Sequence, residues 1–168
     1  MDKHEVINAL TMLPGFYYAY QFYAIHPGSV YRLLSYVLVC IGSIIHHMWK
    51  SVGGDDRYTF RIDLTCQQIF AYVCINQHYP DYVVKARHLI ILLTCVSLRL
   101  STLYDVFILL FINILMCALC VGDNADARYK MIILLTLFAC SKSHIHMRAV
   151  FHPLFHFYCH VFILSVMR

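Results

Sequence analysis

Apolar residues in this chain come in runs, and short polar clusters mark the breaks between them. A helix that crosses a bilayer needs about 20 apolar residues. The first run covers Val6 to Ile25 and holds Pro14-Gly15 inside it, so a kinked helix is expected there. His26-Pro27-Gly28 turns the chain. Val30 to Met48 is a second span, closed by Trp49-Lys50, an interfacial aromatic followed by a snorkelling cation. Ser51 to Tyr58, with Gly53-Gly54-Asp55-Asp56, is a polar loop. Thr59 to Gln77 is a third span, and His78-Tyr79-Pro80-Asp81 is a loop. Val83 to Leu98 and Ser101 to Val121 follow, with no Gly or Pro between His88 and Val121. One helix of that length overruns a hydrocarbon core of about 30 Å at roughly 1.5 Å per residue. A break is therefore predicted at Arg99-Leu100-Ser101, with Ser101 capping the next helix. Gly122 to Asp126 is a loop, Arg128 to Cys140 a short sixth span, and Lys142 to Arg148 a loop. The last span runs from Val150 to Arg168.

The pattern predicts an all-α polytopic membrane protein, a seven-transmembrane-helix bundle forming one domain over residues 1–168. Composition agrees. The chain is 61% hydrophobic and 13% charged, against roughly 25% charged in soluble domains. Its net charge of +4 comes from scattered Lys and Arg that make no basic patch, so nucleic acid is not a predicted partner. Only Lys3 precedes the first run, and the tyrosines at 17, 18, 20 and 23 are bulky, which fits a first membrane helix better than a secretory signal. The cysteines at 40, 66, 74, 95, 117, 120, 140 and 159 all lie in apolar stretches, which argues against an extracellular disulfide framework. Cys117-x-x-Cys120 reads as two small residues at a helix contact. The short fourth and sixth spans suit a thin bilayer, which places the chain in the endoplasmic reticulum or Golgi. Lys and Arg divide almost evenly between the two sides, so charge does not orient it.

Candidate chemistry starts in the last span, where His152, His156 and His160 recur every fourth residue. On a helix such residues lie one above another on one face. Ionisable groups in a membrane segment are costly, usually face the protein interior and are functional candidates. Two stacked imidazoles fall short of a metal site, which takes three or four ligands. Counting crossings supplies more. The end of the second span, the start of the third and the start of the seventh all lie on the side of the N-terminus. The second span ends Ser43-Ile44-Ile45-His46-His47, in which Ser43 and His47 share a face. The third begins Arg61-Ile62-Asp63. A serine, a histidine, an aspartate and two further histidines thus gather at one depth, provided that the fourth and fifth spans are separate helices.

Ser43-x-x-x-His47, Asp63 and His152-x-x-x-His156 on seven helices resemble the CREST superfamily. That superfamily holds the alkaline ceramidases, the progestin and adipoQ receptors, GPI-remodelling lipases and myomaker-like proteins. The HPLFH string and the gap from His47 to Asp63 look most like the adipoQ-receptor branch. The resemblance implies Zn2+ held by His47, His152 and His156, with Asp63 orienting or deprotonating a zinc-bound water and Ser43 hydrogen-bonding beside it. It implies a zinc-dependent hydrolase that cleaves an amide or ester bond of a ceramide-like membrane lipid reached from the bilayer. The alternative is a non-enzymatic receptor or membrane-remodelling protein with a structural metal. Among ligands, His46 stands as an alternate to His47, and His160 to His152, one turn deeper. Pro153 between two ligands requires the first turn of a helix.

Each residue also has a plain packing reading. Membrane histidines commonly hydrogen-bond between helices. Asp63 can serve as a first-turn carboxylate favoured by the helix dipole, and Ser43 as a small residue that permits close packing. Asp105 reads as a partner of Arg99 or of the helix dipole rather than a second acid.

Overall fold

The computed structural model describes residues 1–25, 30–78, 125–143 and 145–166. The predicted fourth and fifth spans, the break at Arg99, Asp105 and Cys117-x-x-Cys120 lie outside the described residues. Every regular element among the described residues is an α-helix. They are α1 (Lys3–Leu10), α2 (Pro14–Ile25), α3 (Val30–Ser51), α4 (Asp56–His78), α5 (Ala125–Ser143) and α6 (Ile145–Val166).

The first predicted span is two helices rather than one kinked helix. Asp2 caps α1 by accepting from the His4 backbone N–H at 2.9 Å. The helix ends at Thr11, and a tight turn closes through Gly15 N–H to the Met12 carbonyl at 3.0 Å. Pro14 then opens α2 at the first helical position, where its missing N–H costs nothing. Between α3 and α4 the chain reverses at Gly53, whose φ of 77° is the left-handed conformation that suits glycine after a helix end. Trp49 Nε1 donates to the Asp55 carbonyl at 3.0 Å and closes this loop.

The last helix begins at Ile145, five residues before the predicted start, and α5 ends at Ser143. Most of the expected loop at 142–148 is therefore helical. Its Lys, Ser, His and Arg residues are compatible with helix once no Gly or Pro intervenes. Two expectations are corrected. Pro153 lies inside α6 rather than in its first turn; it leaves the Ala149 carbonyl without the usual intrahelical donor. The predicted sixth span is part of α5, which has 19 residues, so shortness of that span does not argue for a thin bilayer.

Helix α3 is the hub. It packs against α1, α2 and α4, while α6 packs against α5, α2 and α1. An apolar cluster of Met12, Ala19, Tyr36 and Cys40, flanked by Phe16, Leu33, Val37 and Phe70, joins α2, α3 and α4. Gly42 lets α3 approach α4 closely: a Cβ there would stand 3.1 Å from Cys66 Sγ and 3.4 Å from Asp63 Cα. Gly42→Leu is expected to cost about 1–3 kcal/mol through overpacking, read as a lower unfolding midpoint of the detergent-purified chain. Cys40 and Cys66 carry free thiols.

The polarity of α3 is inverted relative to a soluble amphipathic helix. Leu34, Leu38, Ile41, Ile45 and Met48 form an exposed stripe at helical spacing, whereas Ser35, Ser43, His46, His47 and Ser51 are buried. The same holds on α6, where Val150, Leu154 and Phe157 are exposed and His152, His156 and His160 are buried. Among the described residues α3 is the helix long and apolar enough to cross a membrane by length and composition.

Candidate metal centre

Three imidazoles converge where α1, the end of α3 and the middle of α6 meet. His47 comes from the last turns of α3, and His152 and His156 from consecutive turns of α6. All three are buried, and one ligand atom from each lies within 4.8 Å of the others. Their ring centroids stand 5.3 Å (His47–His152), 4.9 Å (His47–His156) and 4.6 Å (His152–His156) apart. The rings are tilted or edge-on rather than stacked, with interplanar angles of 75°, 55° and 54° in the same order. They converge on one point instead of packing as a pile.

Hydrogen bonds outside this cluster sort the histidine nitrogens. His47 Nδ1 lies 2.7 Å from Glu5 Oε2. An ionised carboxylate only accepts, so Nδ1 carries the proton and Nε2 is the lone-pair nitrogen. Burial alone would raise the Glu5 carboxyl. Hydrogen bonds from His47 and Lys50, together with the Lys50 charge, hold it well below the usual carboxylate range. Glu5 precedes the apolar run that begins at Val6. His156 Nδ1 lies 3.3 Å from the Asn8 carbonyl and 3.4 Å from Thr11 Oγ1. The Thr11 hydroxyl itself donates to the Asn8 carbonyl at 2.7 Å. A carbonyl only accepts, so His156 also donates from Nδ1 and keeps its lone pair on Nε2.

The two alternates are placed elsewhere. His160 donates from Nε2 to the Thr11 carbonyl at 3.1 Å, and the Tyr36 hydroxyl donates to its Nδ1. Both nitrogens are engaged, which leaves no lone pair for an ion. His46 lies about 100° around α3 from its neighbour and turns toward α4. Its Nδ1 donates at 3.2 Å to Thr59 Oγ1, whose own proton goes to the Asp56 carbonyl. The His46 ring rests 5.4 Å from Phe60.

Ser43 is buried one turn before His47 on α3, and Asp63 is buried on α4 with its backbone against Gly42. Asp63 therefore lies at the α3–α4 contact, Ser43 shares the His47 face of α3, and neither belongs to the three-ligand cluster itself. Asp63 Oδ1 is buried and makes no hydrogen bond among the described residues.

The donor set suits a metal ion. Three neutral imidazoles are the ligand set of a catalytic zinc that keeps one position open. Zinc–nitrogen bonds of about 2.0–2.1 Å put tetrahedral ligands roughly 3.3 Å apart. Here the ligand atoms lie within 4.8 Å of one another. Imidazole ligands suit zinc, copper, iron and nickel, whereas calcium and magnesium call for oxygen ligands.

Glu5, Asn8, Thr11 and Lys50 belong to the site's surroundings and were not read from the sequence as such. The available signal was topological: the N-terminal residues fall on the same side as His47 and His152, and Glu5 and Asn8 share a helix face at i and i+3.

The described residues define an all-helical fold with a buried three-histidine centre that can hold a metal ion. No known protein family, curated protein or solved structure matches the chain.

Proposed function

We propose that this protein is an integral membrane, zinc-dependent hydrolase that cleaves an amide or ester bond of a membrane lipid, within a seven-helix bundle of CREST type. The observation that carries the reading is the convergence of His47 with His152 and His156, over a hundred residues apart in sequence, at one buried point. The inverted polarity of α3 and α6 supports a lipid environment. Exposed apolar stripes of this kind mark membrane or partner contact, and the polar groups turned inward are those that a bilayer would penalise.

In this reading His47, His152 and His156 hold the metal. When bound, zinc polarises a carbonyl and lowers the pKa of a water to about 7. Asp63 supplies a buried carboxylate that takes a proton, for which its unengaged Oδ1 is suited. Ser43, on the His47 face of α3, orients the reacting group by a hydrogen bond. Burial of all five residues excludes bulk water and strengthens each of these interactions.

The test is turnover of ceramide and of a glycerolipid ester by purified protein in lipid nanodiscs. Fatty acid release is expected, lost on chelator treatment and restored by zinc. Zinc-loaded protein that releases fatty acid from neither lipid would overturn the hydrolase reading.

A further inference from the structure

The first helix contributes no ligand, yet it touches two of the three. Glu5 meets His47 Nδ1, and the Asn8 carbonyl, one turn along the same face of α1, meets His156 Nδ1. Neither contact follows from local chain geometry, because the partners are 42 and 148 residues apart. The helix is also pinned in place. Lys50 Nζ holds the second Glu5 oxygen, Oε1, at 3.1 Å. The Asp2 N–H donates to the Ser51 carbonyl at 2.7 Å, tying the start of α1 to the end of α3. Asn8 Nδ2 donates back to Glu5 Oε2 at 3.3 Å, so the carboxylate oxygen facing His47 is itself steadied.

We infer that α1 is an outer brace of the metal centre, with Glu5 and the Asn8 carbonyl setting His47 and His156 as Nδ1–H tautomers that turn Nε2 toward the ion. The inference rests on the reading that these histidines bind metal. Its physical basis is general. A ligating histidine donates its other N–H to a carboxylate or carbonyl, which fixes the ring's orientation and raises the basicity of the donor nitrogen. A carboxylate does more of the second than a carbonyl, so Glu5 is the stronger of the two positioning groups. Lys50 would oppose this by drawing charge from the carboxylate, but it binds the oxygen that faces away from His47.

The experiment measures zinc affinity of the full-length, detergent-purified chain by competition with a chelator of known strength, for wild type, Glu5→Ala and Glu5→Gln. Losing an outer-shell partner typically weakens metal affinity about 10–100-fold, and Glu5→Ala is expected to fall in that range. Glu5→Gln, whose amide oxygen still accepts the Nδ1 proton, is expected to recover most of the loss. The unfolding midpoints of the zinc-free proteins, and the visible spectra of the cobalt-loaded ones, separate positioning from scaffolding. A brace changes the cobalt spectrum of Glu5→Ala while Glu5→Gln stays close to wild type. Wild-type affinity in Glu5→Ala, or equal weakening in both variants in step with their zinc-free stability, would overturn the brace and leave the metal centre standing. A folded wild type that takes up no zinc would overturn both.

Discussion

Replacing His152 and His156 together by alanine is expected to drop bound zinc from about one ion per chain to background. The two residues supply two of three donors from a single helix face, and the remaining imidazole of His47 is too weak a site alone. The paired controls are His46→Ala and His160→Ala, both expected to keep the metal. His160→Ala does have a cost. It strips hydrogen-bond partners from the Tyr36 hydroxyl and the Thr11 carbonyl, and an unsatisfied buried polar group costs about 1–3 kcal/mol. That variant should therefore be less stable yet zinc-replete. Metal analysis of the four proteins, alongside their unfolding midpoints, checks the assignment. Zinc lost from His160→Ala and kept in the double variant would invert it.

The second large effect is expected at Asp63. Asp63→Asn keeps the shape of the side chain, and with it the packing of α4 against Gly42, but removes the proton acceptor. A positioned general base contributes about 10²- to 10⁴-fold to rate, so lipid hydrolysis should fall by that factor while zinc content stays at the wild-type level. The pair of readouts is what gives the result meaning. Loss of both would show Asp63 to be needed for the metal itself, and loss of neither would make it a packing residue at the α3–α4 contact.

Much of the site was legible because helical periodicity is local. Ser43 and His47 one turn apart, and His152 and His156 one turn apart, follow from 3.6 residues per turn wherever the helices fall. The meeting of His47 with His152 and His156 was expected only from a count of crossings, two of which lie outside the described residues. What could not be read was each element's true beginning. The Thr11–Leu13 turn divides the first apolar run because Pro14 starts a new helix rather than kinking an old one. The start of α6 at Ile145 escaped notice because a polar stretch without Gly or Pro looks like a loop in a hydropathy profile but folds readily as helix. The choice between His46 and His47 needed the rotation of α3 about its own axis, which its neighbours α1 and α4 set. Glu5 was missed for a related reason. A carboxylate just before an apolar run reads as part of a polar terminus, and nothing local announces that it bonds a histidine 42 residues away.

The central claim is that His47, His152 and His156 share one metal ion. X-ray absorption at the zinc edge of the wild-type protein, compared with His47→Ala, tests it most directly. Three imidazole nitrogens at about 2.0–2.1 Å with one oxygen donor, and one imidazole fewer in the variant, are the expected result. A first shell containing sulfur at about 2.3 Å, or a folded wild type without zinc, would contradict it.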